Sequence, residues 1–285
     1  MYYRRLPRFE YLAPKSIEEA ISMLKEHKGE ARIIGGGTIV IHNMKQRVGV
    51  RKYLIGLKAI PKLDFVTFDE AGGLRIGCMA SLQSVADSPV VKERFQNLAI
   101  ACGKHSTRQI RNMGTLGGNV CCKFPTAEAV PALVALEAEA KITTASGDNT
   151  VAVEDLYKEL KGTELVTEIH VPIPPLGAKG SYQKYTIREG MDYATVCAAV
   201  QMTLTNGSCQ DIRIVLGGAA LPSMRSKRAE KMIKGQSPTD RLVEKVAQAA
   251  SEDAKTASDI YFSAEYKKEL LKGIVKRAIK EVLKA

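Results

Sequence analysis

Tryptophan is absent from this chain and aromatic residues make up 6% of it, so there is no row of rings on which single-stranded nucleic acid could stack. Histidine is scarce, four in 285 residues, and no spacing suggests an acid–base pair or a metal centre. The six cysteines, Cys78, Cys102, Cys121, Cys122, Cys197 and Cys209, never fall in a C-x-x-C arrangement. That argues against zinc and iron–sulfur frameworks, and a chain of this size builds a core without disulfides. Reduced thiols in a cytoplasmic protein are the simplest expectation. No apolar run reaches the roughly 20 residues of a membrane span. Residues 1–7 carry Arg4 and Arg5 with no apolar segment behind them, so no signal peptide is read there. Basic residues outnumber acidic ones by 42 to 31, a formal charge of +11, but the excess is scattered rather than blocked. It suits a phosphate-bearing ligand or an acidic partner, and equally a plain basic surface.

Glycine is concentrated in two short segments, Ile34-Gly35-Gly36-Gly37-Thr38 and Gly114-Thr115-Leu116-Gly117-Gly118-Asn119. Glycine lets a ligand approach the main chain closely, and successive free N–H groups in a turn form a concave nest for an anion. Two such turns about eighty residues apart predict one ligand with two neighbouring phosphates, a dinucleotide. The first turn follows a helix and then a strand. It lacks the G-x-G-x-x-G spacing of a nicotinamide-binding Rossmann unit, and there is no Walker A sequence, so both of those nucleotide folds are disfavoured.

Ser16 and Glu19 form a capping box for a helix whose Ile17, Ala20, Ile21 and Leu24 share one face, and Gly29 marks its end. Strands are expected at 31–34, 53–57, 74–78, 140–144, 151–153 and 165–171, with Ser146-Gly147-Asp148-Asn149 as a hairpin turn. Helices are expected at 81–86 and 90–102, and from a Thr126 cap through 136, where Pro131 argues against a straight run. The proline-rich stretch 172–177 marks a domain boundary. Beyond it come strands near 182–187, 194–205 and 209–216, the last two joined at Asn206-Gly207, and then helices at 227–234, 240–250 and 264–283.

Gly36-Gly37-Thr38, then the run from Arg111-Asn112-Met113 through Asn119, then Pro125 with Glu128, carry a family resemblance. They resemble the signatures A-G-G-T-D, R-N-x-G-T-x-G-G-N and S-P-x-x-D of the FAD-binding (medium) subunit of molybdenum hydroxylases, a family that includes xanthine dehydrogenase and carbon monoxide dehydrogenase. The likeness extends to a strand end at 166–172, to the K-x-x-x-R-x-x-x-D-Y-A pattern at 184–194 and to Ser-Ala-x-Tyr-Lys at 263–267, so it covers essentially the whole chain.

The resemblance implies an α+β fold with an FAD-binding domain over 1–175, split into two α/β subdomains at about 1–57 and 58–175. A C-terminal domain over 176–285, antiparallel sheet packed with helices, would follow. It implies FAD held by Ile33, Ile34, Gly35, Gly36, Gly37, Thr38 and Ile39 on one side and by Gly114, Thr115, Gly117, Gly118 and Asn119 on the other, with the pyrophosphate between them. His105 would line the flavin pocket, Val166 would touch the ring system through its backbone, and Tyr193 would pack nearby. Glu128 would hold a hydroxyl of the flavin nucleotide in place of the usual aspartate, and Lys184 would stand near the flavin ring. Three positions depart from the pattern: Ile39 replaces a polar or acidic residue, Lys123-Phe124 replaces a small polar pair, and Cys121-Cys122 are adjacent thiols. No catalytic side chain and no metal ligand is expected in this chain, because the cofactor carries the chemistry. The implied partners are a [2Fe-2S] small subunit, a molybdopterin large subunit bearing the substrate pocket, and NAD or another electron acceptor. A stand-alone FAD-dependent NAD(P)H oxidoreductase is the alternative; neither nucleic acid nor a membrane span is expected.

Overall fold

The computed structural model describes residues 5–188, 190–218 and 223–284. Residues 1–4, part of the stretch read for a leader, and residue 189 within the 184–194 segment lie outside the described residues.

Three sheets organise the chain. The first has parallel strands in the order β1-β3-β2, with β1 at Glu10–Leu12, β2 at Ala31–Ile34 and β3 at Tyr53–Gly56. Helix α1, Ile17–Glu26, buries Ala20, Ile21 and Leu24 against Ile55 and Leu57. Ser16 Oγ accepts the Glu19 N–H at 3.1 Å, but the Glu19 carboxylate takes the Lys15 N–H at 2.7 Å, so the capping box closes one residue earlier than expected. A second helix, α2, spans Thr38–Lys45 directly after the first glycine turn. The sequence hides it, because Thr38, Ile39, Val40 and Ile41 form a β-branched run of low helix propensity. Gly37, at φ +74°, supplies the left-handed residue that lets the chain turn from β2 into α2.

The second sheet is antiparallel, in the order β4-β5-β8-β6-β7. Its strands are β4 (Val66–Asp69), β5 (Gly73–Gly77), β6 (Glu139–Thr144), β7 (Gly147–Ala152) and β8 (Leu165–Val171). Thr144 pairs with Gly147, so the β6–β7 loop is residues 145–146 and the expected turn residues Gly147 to Asn149 already lie in β7. Between β5 and β6 run α3 (Leu82–Asp87), α4 (Pro89–Arg94), α5 (Gln96–Lys104), α6 (Arg108–Met113), α7 (Leu116–Cys121) and α8 (Ala129–Ala135), and a short α9 (Leu156–Glu159) precedes β8. Three expectations change here. The helix read over 90–102 is two helices, broken at Phe95, whose backbone leaves the helical region at φ −131° while its ring is fully buried. The second glycine segment is the start of α7, capped by Thr115, rather than an open turn. Thr126 caps nothing, and its hydroxyl has no partner; Asn119 Oδ1 accepts the Ala129 N–H at 3.3 Å and α8 begins there. Pro131 therefore sits in the first turn, where its missing N–H breaks no helical bond.

The third sheet is antiparallel, β12-β11-β10-β9, with β9 at Ala178–Tyr185, β10 at Val196–Thr205, β11 at Ser208–Gly217 and β12 at Met224–Arg225. Asn206 and Gly207 both take positive φ, +50° and +75°, as a two-residue hairpin of this type requires. Along β10, Val196, Ala198, Val200 and Met202 join a core with α10 (Lys227–Ile233), α11 (Asp240–Asp253) and α12 (Ala264–Lys284). Cys197 and Ala199 point the other way, into the core of the second sheet, together with Tyr182 and Val215. The third sheet is thus buried on both faces, and one of them fixes it to α8 and α5.

Candidate functional site

The two glycine segments meet. A Cβ built on Gly36 would lie 1.8 Å from the Met113 carbonyl oxygen, and one on Gly35 would lie 2.9 Å from Thr115 Oγ1. Only hydrogen at these positions lets the loop after β2 lie flat against the α6–α7 junction. Gly117 serves the same end deeper down, where its Cβ would meet Cys78 Cβ at 2.6 Å.

A cleft opens along this contact. Of the residues expected to hold a ligand, Ile33, Gly35, Gly36, Gly37, Thr38, Ile39, His105, Gly114, Thr115, Gly117, Gly118, Asn119 and Val166 line it. Ile34 does not; its side chain packs beneath Gly37. Glu128 and Lys184 do not line it either. Glu128 is fully buried behind the wall and pairs with Lys184 Nζ at 3.0 Å.

The donor chemistry of the two segments differs. In the α7 segment the N–H groups are already taken: Leu116 donates to Ala80 O, Gly117 to Cys78 O, Gly118 to Thr115 Oγ1 and Asn119 to Thr115 O. In the first turn, the N–H groups of Gly36, Gly37, Thr38 and Ile39 have no backbone acceptor among the described residues. The first α2 N–H to find one is Ile41, which donates to Gly37 O at 2.9 Å. Five consecutive free donors, Gly36 to Val40, at the positive end of an eight-residue helix make a cradle suited to a phosphate group. The α7 segment instead packs against that cradle and offers the Thr115 and Asn119 side chains.

Several wall residues were not picked out from the sequence. Arg32 stands in the wall beside the first turn. Burial holds its guanidinium below the ordinary arginine value, the neighbouring Arg51 charge adding to the effect, so an anion in the cleft would relieve both. A charged residue inside a four-residue strand leading into glycines was the available signal. Glu164 shapes another edge: its Oε2 accepts the N–H groups of Lys161, Gly162 and Thr163 at 2.8–3.0 Å, closing a loop whose Gly162 lines the cleft. Cys121, Cys122, Phe124 and Thr126 also line the cleft, as does Tyr193, whose ring lies edge-on to His105. Burial pushes the Cys121 thiol up to about 12 and raises that of Cys122, so neither is a nucleophile at neutral pH. Among the described residues no cluster of His, Cys, Asp or Glu could hold a metal ion, and no helix is long and apolar enough to cross a membrane.

The residues present fit a dinucleotide cofactor. The N–H groups at the start of α2 lack partners, and His105 Nδ1 and Thr126 Oγ1 are buried polar atoms in wall residues with no hydrogen-bond partner of their own. Cleft and fold together define a dinucleotide-binding protein. Residues 7–174 match the FAD-binding domain of molybdopterin dehydrogenases, and residues 181–282 match the CO dehydrogenase flavoprotein C-terminal domain. The chain belongs to this family of FAD-binding medium subunits. It is 31% identical over 278 residues to the carbon monoxide dehydrogenase medium chain of Hydrogenophaga pseudoflava, covering 96% of both chains. It is 30% identical to the glyceraldehyde dehydrogenase medium chain of Sulfolobus acidocaldarius, covering 97% of this chain and 99% of that one. Among solved structures it superposes on a chain of carbon monoxide dehydrogenase from Hydrogenophaga pseudoflava with a TM-score of 0.93 over 97% of each. It superposes on a chain of quinoline 2-oxidoreductase from Pseudomonas putida 86 with a TM-score of 0.90 at 28% identity, over 98% of each.

Proposed function

We propose that this chain holds FAD in the cleft between its two glycine segments and serves as the electron-transfer subunit of a heteromeric molybdenum hydroxylase. In this reading the N–H groups of Gly36 to Ile39 hold the pyrophosphate, and Arg32 supplies charge beside it. Thr115 and Asn119 face the nucleotide from the α7 side, and His105, Val166 and Tyr193 bound the flavin end. The observation that carries this reading is the row of unpartnered N–H groups at the start of α2, packed against the second glycine motif. When bound, FAD would supply the redox chemistry, accepting and releasing electrons one or two at a time. The chain's own residues bind and orient it and exclude water from one side. No acid, base or nucleophile of the chain is required.

The electrons would come from a [2Fe-2S] small subunit, a molybdopterin large subunit would carry the substrate pocket, and NAD or another acceptor would take the electrons away. Support for partners comes from relatives that are medium chains or FAD subunits and match along nearly their whole length. The division into an FAD-binding domain over 1–175 and a C-terminal domain over 176–285 is supported by the change of sheet across 172–177. Six free thiols support a reducing compartment, the cytoplasm.

The test is purification from the native host with whatever accompanies the chain, followed by release and quantitation of flavin. One FAD per chain, two co-purifying chains and iron–sulfur absorption are expected. Stoichiometric FAD on a lone chain that turns over NADH would favour the stand-alone oxidoreductase. A preparation with its partners but no releasable flavin contradicts the reading.

A further inference from the structure

Behind the cleft wall, Glu128 and Lys184 form a buried pair whose hydrogen bonds converge on two wall residues. Lys184 Nζ donates to the Glu128 carboxylate at 3.0 and 3.2 Å, to Lys104 O at 2.6 Å and to Asp192 O at 3.0 Å. Its three protons are thereby committed, and none is left for a ligand in the cleft. Glu128 Oε1 accepts the Ala194 N–H at 3.2 Å, and Oε2 accepts the Tyr182 hydroxyl at 3.3 Å. Asp192 O and the Ala194 N–H flank Tyr193 on either side; Lys104 O immediately precedes His105. The His105 ring lies edge-on to Tyr193 with centroids 6.0 Å apart, and its Nδ1 is 3.6 Å from Glu128 Oε1. Four segments, the ends of α5 and β9, the start of α8 and the loop before β10, are tied at this one point.

We propose that the Glu128–Lys184 pair is a positioning device: it does not touch the cofactor, but sets the placement of His105 and Tyr193, the two rings that bound the flavin end of the cleft. This rests on the reading that FAD occupies the cleft. The arrangement is directional. Each anchored backbone atom belongs to a ring-bearing residue's neighbour, so loss of the pair frees both rings while leaving the phosphate cradle of α2 untouched.

The test uses the native complex, depleted of flavin and reconstituted with FAD. Lys184→Met leaves a buried carboxylate without its cation, so the double variant Glu128→Gln/Lys184→Met removes both charges together, and Glu128→Gln alone serves as the mildest change. Each is made in two backgrounds, one with both rings intact and one carrying His105→Ala and Tyr193→Ala. With the rings intact, the double variant is expected to weaken FAD binding about tenfold and to alter the visible circular dichroism of the bound flavin; in the ringless background the loss falls below about threefold, the non-additivity expected of a residue acting through another. A Ser226→Ala control, remote in the third unit, is expected to lower thermal stability without changing the flavin spectrum. Equal losses in both backgrounds, or an unchanged flavin dichroism in all three pair variants, overturn the inference while FAD binding itself stands. If the wild-type complex takes up no FAD, the parent reading fails and this inference falls with it.

Discussion

A methyl group at Gly36 would sit 1.8 Å from the Met113 carbonyl oxygen, a backbone atom that cannot move aside without displacing the α6–α7 junction. Gly36→Ala is therefore expected to cost about 3 kcal/mol or more and to abolish FAD retention. Gly103, in α5, is the contrast: its Cβ would meet nothing nearer than Ala86 Cβ at 3.6 Å, so Gly103→Ala is expected to add about 0.5–1 kcal/mol and leave FAD binding unchanged. Thermal unfolding and FAD titration of the two variants check both. A second residue-scale prediction concerns Asp259. The Lys267 ammonium at 2.6 Å, with the N–H groups of Tyr261 and Phe262, holds its carboxyl down at about 2 against an ordinary 3.8. A depressed carboxylate stabilises the fold above its unfolded value, and the contribution drains away as pH falls toward the folded one. Asp259→Asn should therefore lower Tm at neutral pH, and its gap from the wild type should close between about pH 4 and pH 2. A gap that stays constant through that window would count against the assignment. At this scale the sequence was only partly legible. Glycine positions could be read because a bare backbone has few other uses. The Glu128–Lys184 pair could not, because its meaning lies in backbone atoms of residues 104, 192 and 194 that no spacing brings together.

Elements were legible where a local signal agreed with tertiary packing. Strand β8 was read over the residues it occupies, and α1 and the β10–β11 hairpin nearly so, because alternation, a serine cap and an Asn-Gly turn each speak for one conformation. Reading failed where packing overrode propensity. Helix α2 forms from β-branched residues because Gly37 and the parallel pairing of β2 with β3 direct the chain there. The 90–102 helix breaks so that Phe95 can enter the core. Helix α8 starts late because Asn119, ten residues before it in sequence but adjacent in space, provides the cap that Thr126 was expected to give. The placement of α7 also makes a chemical prediction. Cys121 and Cys122 lie at its carboxyl end in the cleft wall, whereas Cys102 and Cys197 are fully buried elsewhere. In the FAD-replete complex iodoacetamide should label all four slowly at neutral pH. FAD depletion should accelerate labelling of Cys121 and Cys122 while leaving Cys102 and Cys197 unchanged; equal acceleration of all four would point to general loosening rather than an emptied cleft.

Across the whole molecule, each of the three sheets does a different job. The parallel sheet delivers the glycine turn and the amino end of α2, the first antiparallel sheet carries the helices that press against that turn, and the third braces them from behind through α8. Cys78 and Leu165, contributed by the second unit, lie in the core of the first, so the cleft lies between units that share buried side chains. The general architecture followed from the sequence through its motifs, whereas the antiparallel pairing of the second sheet did not, since strand direction depends on contacts as distant as β5 with β8. The central claim is that the free donors at the start of α2 hold the cofactor, and amide hydrogen exchange measures those donors directly. Exchange across residues 35–41 should be compared in FAD-replete and FAD-depleted native complex. Slowing by about tenfold or more on occupancy, largest at Gly36 to Ile39, is predicted, since amides lacking a backbone partner gain one. Unchanged exchange there, with protection appearing elsewhere in the chain, would contradict it.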